Sequence, residues 1–365
     1  MQSLTVARSS LNEAMDDFPP DCVKAARNYL CIANGLAGPL FWPVKSYCAV
    51  NLFLWHLDAF AKPENPVASF CAAFDGAGKL LTAAGKTNLA GSQAPTPDMA
   101  RVMQESFEDQ VSGTFSDIWV NLTDDIYFDQ SHDFTVERLT KNGIDPATLF
   151  RGKTVFDAGC GSGKFSAALA RLGAARVIGM DIGQKGLDFA KEQARKVPYG
   201  DRLDYRYGSL IEIPLPDQTV DFVWSNGVIH HTADYEKCIA EFARILKPAG
   251  TMFLYVNGRF GLFELLVDTI RLSMQHVPRA LYLHYLSLIG FNSGRIYWIT
   301  DHSYAPYEWR SRENVEAMMA RHGFENIRQL KRGVTSDQIE QVSTGLPFAD
   351  VKYGEAQLKW LADRK

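Results

Sequence analysis

The chain has 365 residues, 46% of them hydrophobic and 22% charged, with a formal net charge of -4 at pH 7. That length suits two domains or one large domain with additions, and the composition is that of a globular protein able to build a sizeable core. The acidic balance argues against a nucleic-acid partner, which usually leaves a basic footprint. The six cysteines (Cys22, Cys31, Cys48, Cys71, Cys160 and Cys238) include no C-x-x-C pair, which argues against a zinc ribbon or a disulfide scaffold and for a reducing cytoplasm.

The opening MQSLTVARSSLNEAMDDF is too polar and acidic for a signal peptide. Residues 28–57 are apolar but broken by Gly35, Gly38, Pro39, Pro43 and Lys45, so they predict two buried helices around a proline turn rather than a membrane span. Residues 1–90 read as mostly helical, with a turn expected at Asp75–Gly78, and GSQAPTPD at 91–98 reads as a linker. Met103, Phe107, Val111 and Phe115 recur at spacing four, followed by Trp119, and predict one helix over 99–120.

From about residue 133 strands and helices alternate. KTVFDAG (153–159), ARVIGMD (175–181), LDYRYGS (203–209), VDFVWSN (220–226) and TMFLYV (251–256) read as strands, with amphipathic helices between them and KPAG as the turn before the fifth. Repeated β–α units with strands rich in Val, Ile and Phe predict a parallel sheet covered on both faces. Residues 258–311 interrupt the repeat with many aromatics, and a last helix ending at Gly323 precedes one more strand. An insertion there is expected over the carboxyl ends of the strands, where ligands bind in such sheets. The expected division is therefore a helical region at 1–132, partly capping the active site, and a domain at 133–365 with a lid-like insertion at 258–311.

The chemistry centres on VFDAGCGSGKFS at 155–166. The loop follows a strand and opens a helix, where free N–H groups and glycine allow close backbone approach to a ligand. Lys164 occupies the third small position of a dinucleotide fingerprint, and Phe165 and the glycine spacing break a P-loop, so neither phosphate pattern fits. The stretch resembles motif I of the class I S-adenosylmethionine-dependent methyltransferases: a hydrophobic strand, Asp157, then Gly159, Gly161 and Gly163. The resemblance runs over about residues 110–330.

The resemblance implies an α/β fold, with a Rossmann-like core of a mostly parallel seven-stranded sheet and helices on both faces, beside the mainly helical N-terminal region. It implies S-adenosyl-L-methionine as cofactor. Asp181 then holds the ribose hydroxyls, since a carboxylate accepts from both. Ser209 and Leu210 flank the adenine, with serine where many relatives carry an acidic residue. Asn226 follows the fourth strand, where the family's backbone meets the methionine part, and Phe115 and Trp119 match a helix that closes over the cofactor, although core packing accounts for them as well.

Methyl transfer is an in-line displacement, and a base is needed only when the nucleophile holds a proton. His231 is the preferred candidate base, with His230 beside it; the plain alternative is that one packs inside and the other, with Thr232, caps the next helix. Asp301, Tyr304 and Tyr307 in TDHSYAPYEW are candidates for holding a substrate proton or cradling a cation. Arg295 and Arg310 are candidates for pairing with a substrate carboxylate.

The leading expectation is a cytoplasmic methyltransferase acting on a small molecule, either an apolar or aromatic metabolite or a small carboxylic-acid thioether. The acceptor atom (O, N, C or S) stays open. No metal, nucleic acid or membrane span is expected, and homodimerisation through the N-terminal region or the insertion is left open. The alternatives are an NAD-dependent oxidoreductase, a non-catalytic S-adenosylmethionine-binding assembly module, and a tRNA or rRNA methyltransferase.

Overall fold

In the computed structural model, which describes residues 17–87 and 123–365, the sheet is built from seven strands. They are β1 (Thr154–Ala158), β2 (Arg176–Asp181), β3 (Leu203–Tyr207), β4 (Val220–Asn226), β5 (Leu246–Asn257), β6 (Phe324–Gln329) and β7 (Gln357–Arg364), in the order β3-β2-β1-β4-β5-β7-β6. β1 to β5 run parallel, and β7 inserts antiparallel between β5 and β6. The α/β class and the mostly parallel seven-stranded core are as the sequence predicts.

Apolar residues alternate between the faces because successive strand side chains point opposite ways. Phe156, Val223, Leu254 and Trp360 build the core on one face, and Val155, Phe222, Trp224 and Phe253 on the other. Two strand readings need correction. KPAG is not a separate turn before the fifth strand, because β5 already pairs at Leu246 with Val220, and the register then shifts before Phe222 meets Thr251. β7 was not read from the sequence at all. Its alternating Leu358, Trp360 and Ala362 fill the first core, but the apolar Leu361 between two of them blurs the alternation.

The chain divides into two compact units. The sheet unit holds the described residues 123–258 with Pro306–Thr344 and Glu355–Lys365. The helical unit holds residues 17–87 with Arg259–Ala305 and Gly345–Gly354. The insertion thus shares a unit with the N-terminal helices, and the cut expected between 132 and 133 falls inside the helix Ser131–Thr140 of the sheet unit.

Within the helical unit, Pro20–Gly35 and Trp42–Ala61 are joined through the short turn Pro39–Phe41, as the prolines predict. The turn expected at Asp75–Gly78 is absent: those residues lie within the helix Val67–Lys86. Gly78 is there for close approach, since a Cβ on it would come within 3.2 Å of Ile32 Cδ1 on the first helix. The helix Leu262–Met274 is buried nearly all round, which marks it as the centre of this unit. Among the described residues, no helix is long and apolar enough to cross a membrane.

Candidate functional site

β1 sits between β2 and β4, where the chain order of the sheet reverses, and a crevice for ligands forms at such a switch point beyond the carboxyl ends of the strands. The loop leaving β1 there contains Gly159, Gly161 and Gly163 at φ +70°, +54° and +80°, a region L side chains avoid. Space is refused as well: a Cβ on Gly159 would lie 2.3 Å from Val228 Cγ1, and one on Gly163 would lie 2.8 Å from Ala190 Cβ. Both glycines are therefore required by conformation and by packing. Lys164 then begins the helix Lys164–Arg171, whose first N–H groups face the loop.

Asp181 ends β2 and ties the loop to its own turn. Its Oδ2 accepts from Gly161 N at 2.8 Å and its Oδ1 from Gly183 N at 2.7 Å. Burial raises its pKa, and these N–H donors offset part of the rise. Asp157 lies one layer deeper, where Ser166 Oγ donates to its Oδ2 at 2.5 Å. Burial pushes the Asp157 carboxyl up to about 7, the Ser166 hydroxyl opposes this, and the Asp181 charge adds to it.

The loop is also held from outside. Tyr127, on the π-helical segment Asp125–Gln130, donates to Ser162 O at 2.8 Å, and Tyr205 on β3 donates to Gly163 O at 3.3 Å. Sequence reading missed both tyrosines, because each acts on a backbone carbonyl brought near by the fold.

Ser209 and Leu210 follow β3, with Ser209 partly exposed and Leu210 buried in the core. The loop beyond them is braced by Arg244, which donates to Ile213 O at 2.8 Å and Leu215 O at 2.7 Å, and by Glu241, which accepts from Ile213 N at 2.8 Å. Asn226 closes β4 and is partly exposed.

Beyond Asn226 the chain turns through Gly227 into His230 and His231, both buried. His231 Nδ1 lies 2.7 Å from Pro306 O. A carbonyl only accepts, so Nδ1 carries a proton. Tyr307 packs edge-on against His231 with centroids 4.4 Å apart and stacks on His230 at 5.1 Å. The cap of the next helix is Asp234, which accepts from Lys237 N at 2.9 Å, so neither histidine nor Thr232 serves there.

The structure thus brings Asp157, the three glycines, Asp181, Asn226, His230, His231 and Tyr307 into the sheet unit, and it assigns Asp301 and Tyr304 to the helical unit. The Tyr304 hydroxyl donates to Val277 O at 2.9 Å, and Asp301 is buried with its Oδ2 3.7 Å from His302 Nδ1. Arg310 pairs with Glu308, and Arg295 lies over the Trp298 ring at 5.9 Å. Phe115 and Trp119 lie outside the described residues. Among the described residues, no cluster of His, Cys, Asp or Glu could hold a metal ion. A groove of about 1000 Å³ opens at the amino ends of β2 and β3, beside Arg176 and Leu203, away from the strand ends that carry the loop.

Sheet order, glycine loop and acidic β2 terminus fall where the resemblance to class I S-adenosylmethionine-dependent methyltransferases expects them. Residues 156–254 match the family model described as a methyltransferase domain. It is 29% identical to the 27-O-demethylrifamycin SV methyltransferase of Amycolatopsis mediterranei, over 46% of this chain and 63% of that one. It is 36% identical to the malonyl-[acyl-carrier protein] O-methyltransferase of Yersinia pestis, over 37% of this chain and 53% of that one. A probable S-adenosylmethionine-dependent methyltransferase of Mycolicibacterium smegmatis is 34% identical, over 38% of this chain and 48% of that one. The chain spans roughly half to less than two thirds of the length of these relatives.

A pH prediction follows from Asp157. Its folded pKa of about 7 lies above the ordinary carboxylate value of 3.8, so between these two values the folded state binds more protons than the unfolded one. Its contribution to stability is present below the ordinary value and is lost as pH rises toward about 7. Asp157→Asn keeps an acceptor for Ser166 but cannot ionise. The variant should gain stability relative to the parent as pH is raised through that window, by roughly 2–4 kcal/mol. Urea unfolding at several pH values measures this, and a stability difference independent of pH contradicts it.

Proposed function

We propose that the chain is an S-adenosylmethionine-dependent methyltransferase acting on a small molecule. The observation that carries this is the loop at the carboxyl end of β1, where three left-handed glycines, the middle one tied to Asp181, stand beside a helix N-terminus. Such a cradle fits a cofactor that approaches the backbone closely and carries no phosphate. When bound, the cofactor supplies a methyl group already activated on a sulfonium.

In this reading Asp181 accepts from the ribose hydroxyls, Ser209 and Leu210 flank the adenine, and Asn226 meets the amino-acid end. The glycines clear space, and Asp157 with Ser166 fixes the turn beneath them. His231 acts on the acceptor side: its Nε2 takes a proton from an acceptor that holds one, and Pro306 O fixes the ring. Tyr307 covers the ring and helps exclude water. Asp301 and Tyr304 are kept as candidate substrate residues, and Phe115 and Trp119 as candidate cofactor residues.

Further supports are indirect. The net charge of -4 favours a small molecule over nucleic acid. The six cysteines are free, consistent with a cytoplasmic location. The acceptor atom and homodimerisation belong to the same proposal.

The test is calorimetric titration with S-adenosylhomocysteine, followed by profiling a metabolite extract with methyl-labelled cofactor. Binding near micromolar, about -8 kcal/mol, and one or more labelled products are expected. Tight NADH binding in its place would favour an oxidoreductase, and cofactor binding without any labelled product would favour an assembly module.

A further inference from the structure

A buried charged group stands behind the carboxyl end of β4. Arg138, on the helix Ser131–Thr140, is clamped by Asp337: Nε donates to Oδ2 at 2.9 Å and Nη2 to Oδ1 at 2.8 Å. Lys359 Nζ on β7 lies 3.0 Å from Asp337 Oδ2. The side chains of Arg138, Asp337 and Lys359 are 8%, 6% and 0% exposed. Burial opposes ionising Asp337, but Arg138 and Lys359 overcome it and hold the carboxyl at about 2.

The fork-on-carboxylate geometry uses one edge of the guanidinium and leaves Nη1 aimed outward. There it donates a long hydrogen bond of 3.4 Å to Asn226 Oδ1. A guanidinium has no acceptor, so the amide must present its oxygen to Arg138 and turn its NH2 the other way. Among the described residues, no group accepts from that NH2, and Asn226 is partly exposed.

We infer that Arg138, oriented by Asp337, is a positioning residue that fixes the Asn226 amide with its two N–H donors turned toward the ligand crevice. Its effect is to select an oxygen acceptor there, the carboxylate at the amino-acid end of the cofactor. Arg138 sets the orientation of the amide, Asp337 sets the orientation of Arg138, and Lys359 keeps Asp337 ionised. Removing Asp337 would leave Arg138 and Lys359 buried without a counter-charge, which destabilises strongly. This inference rests on the methyltransferase reading above.

The test compares two probes by calorimetry. S-adenosylhomocysteine carries the amino-acid end, and 5′-methylthioadenosine lacks it. Asn226→Ala and Arg138→Lys should each weaken S-adenosylhomocysteine by about tenfold, the scale of a hydrogen bond to a charged group, and leave 5′-methylthioadenosine within about twofold. Lysine keeps the charge but cannot clamp Asp337 and reach Asn226 together, so it should not rescue. In the Asn226→Ala background, Arg138→Lys should add nothing. Arg138 is buried and its variant is open to misfolding, whereas Asn226→Ala removes a partly exposed amide and keeps the comparison decisive. Equal losses for both probes, or full affinity for both in Asn226→Ala, overturn the inference. A parent protein that binds neither probe overturns the methyltransferase reading itself, and the inference with it.

Discussion

Asp181→Ala is expected to weaken S-adenosylhomocysteine binding by about a hundredfold, roughly 2.7 kcal/mol. Two losses combine. The carboxylate is the proposed acceptor for both ribose hydroxyls, and hydrogen bonds to a charged group contribute about 1.5–3 kcal/mol each. It also ties Gly161 N and Gly183 N, so its removal frees the loop to populate shapes that do not bind. Asp181→Asn retains one acceptor oxygen and should fall between, at about a tenfold loss. Calorimetric titration of the three proteins checks the order. Unchanged affinity in the alanine variant would remove Asp181 from the cofactor site.

His231→Gln is expected to lower turnover by about a hundredfold or more, with S-adenosylhomocysteine affinity unchanged within about twofold. Pro306 O accepts from Nδ1, and Nε2 is the proposed base. Glutamine is polar and fills much of the volume, but it is a very weak base. The measurement is single-turnover methyl transfer to whichever acceptor the labelled-cofactor profile identifies. The acid limb of the parent pH–rate profile should vanish in the variant. Undiminished turnover would mean that the acceptor brings no proton to remove, as a thioether sulfur does not, or that another group removes it.

The glycine loop of this protein was legible in its sequence because backbone geometry constrains residue type there. Gly159, Gly161 and Gly163 hold positive φ, and a Cβ on Gly159 or Gly163 would collide with a neighbour, so few other sequences can build that turn. The acceptor end was less legible. The sequence places Asp301, Tyr304 and Tyr307 within seven residues, yet the chain leaves the helical unit at Ala305 and enters the sheet unit at Pro306. Proximity in sequence therefore said little about which unit each side chain serves. Gly78 misled in the opposite direction, because glycine signals a close helix approach as well as a turn.

The sequence by itself determined the α/β class, the first five strands along the chain, the glycine loop and the acidic residue ending β2. These follow from local rules: a two-residue period for strands, helix amphipathicity, and backbone angles that only glycine tolerates without strain. The tertiary structure alone decided the β7 insertion, the proton on His231 Nδ1 and the clamp behind Asn226. Each depends on partners far apart in the chain: 75 residues separate His231 from Pro306, and 199 separate Arg138 from Asp337. No local pattern encodes such pairs, because the energy of a buried charge or a shared proton depends on what the fold places beside it.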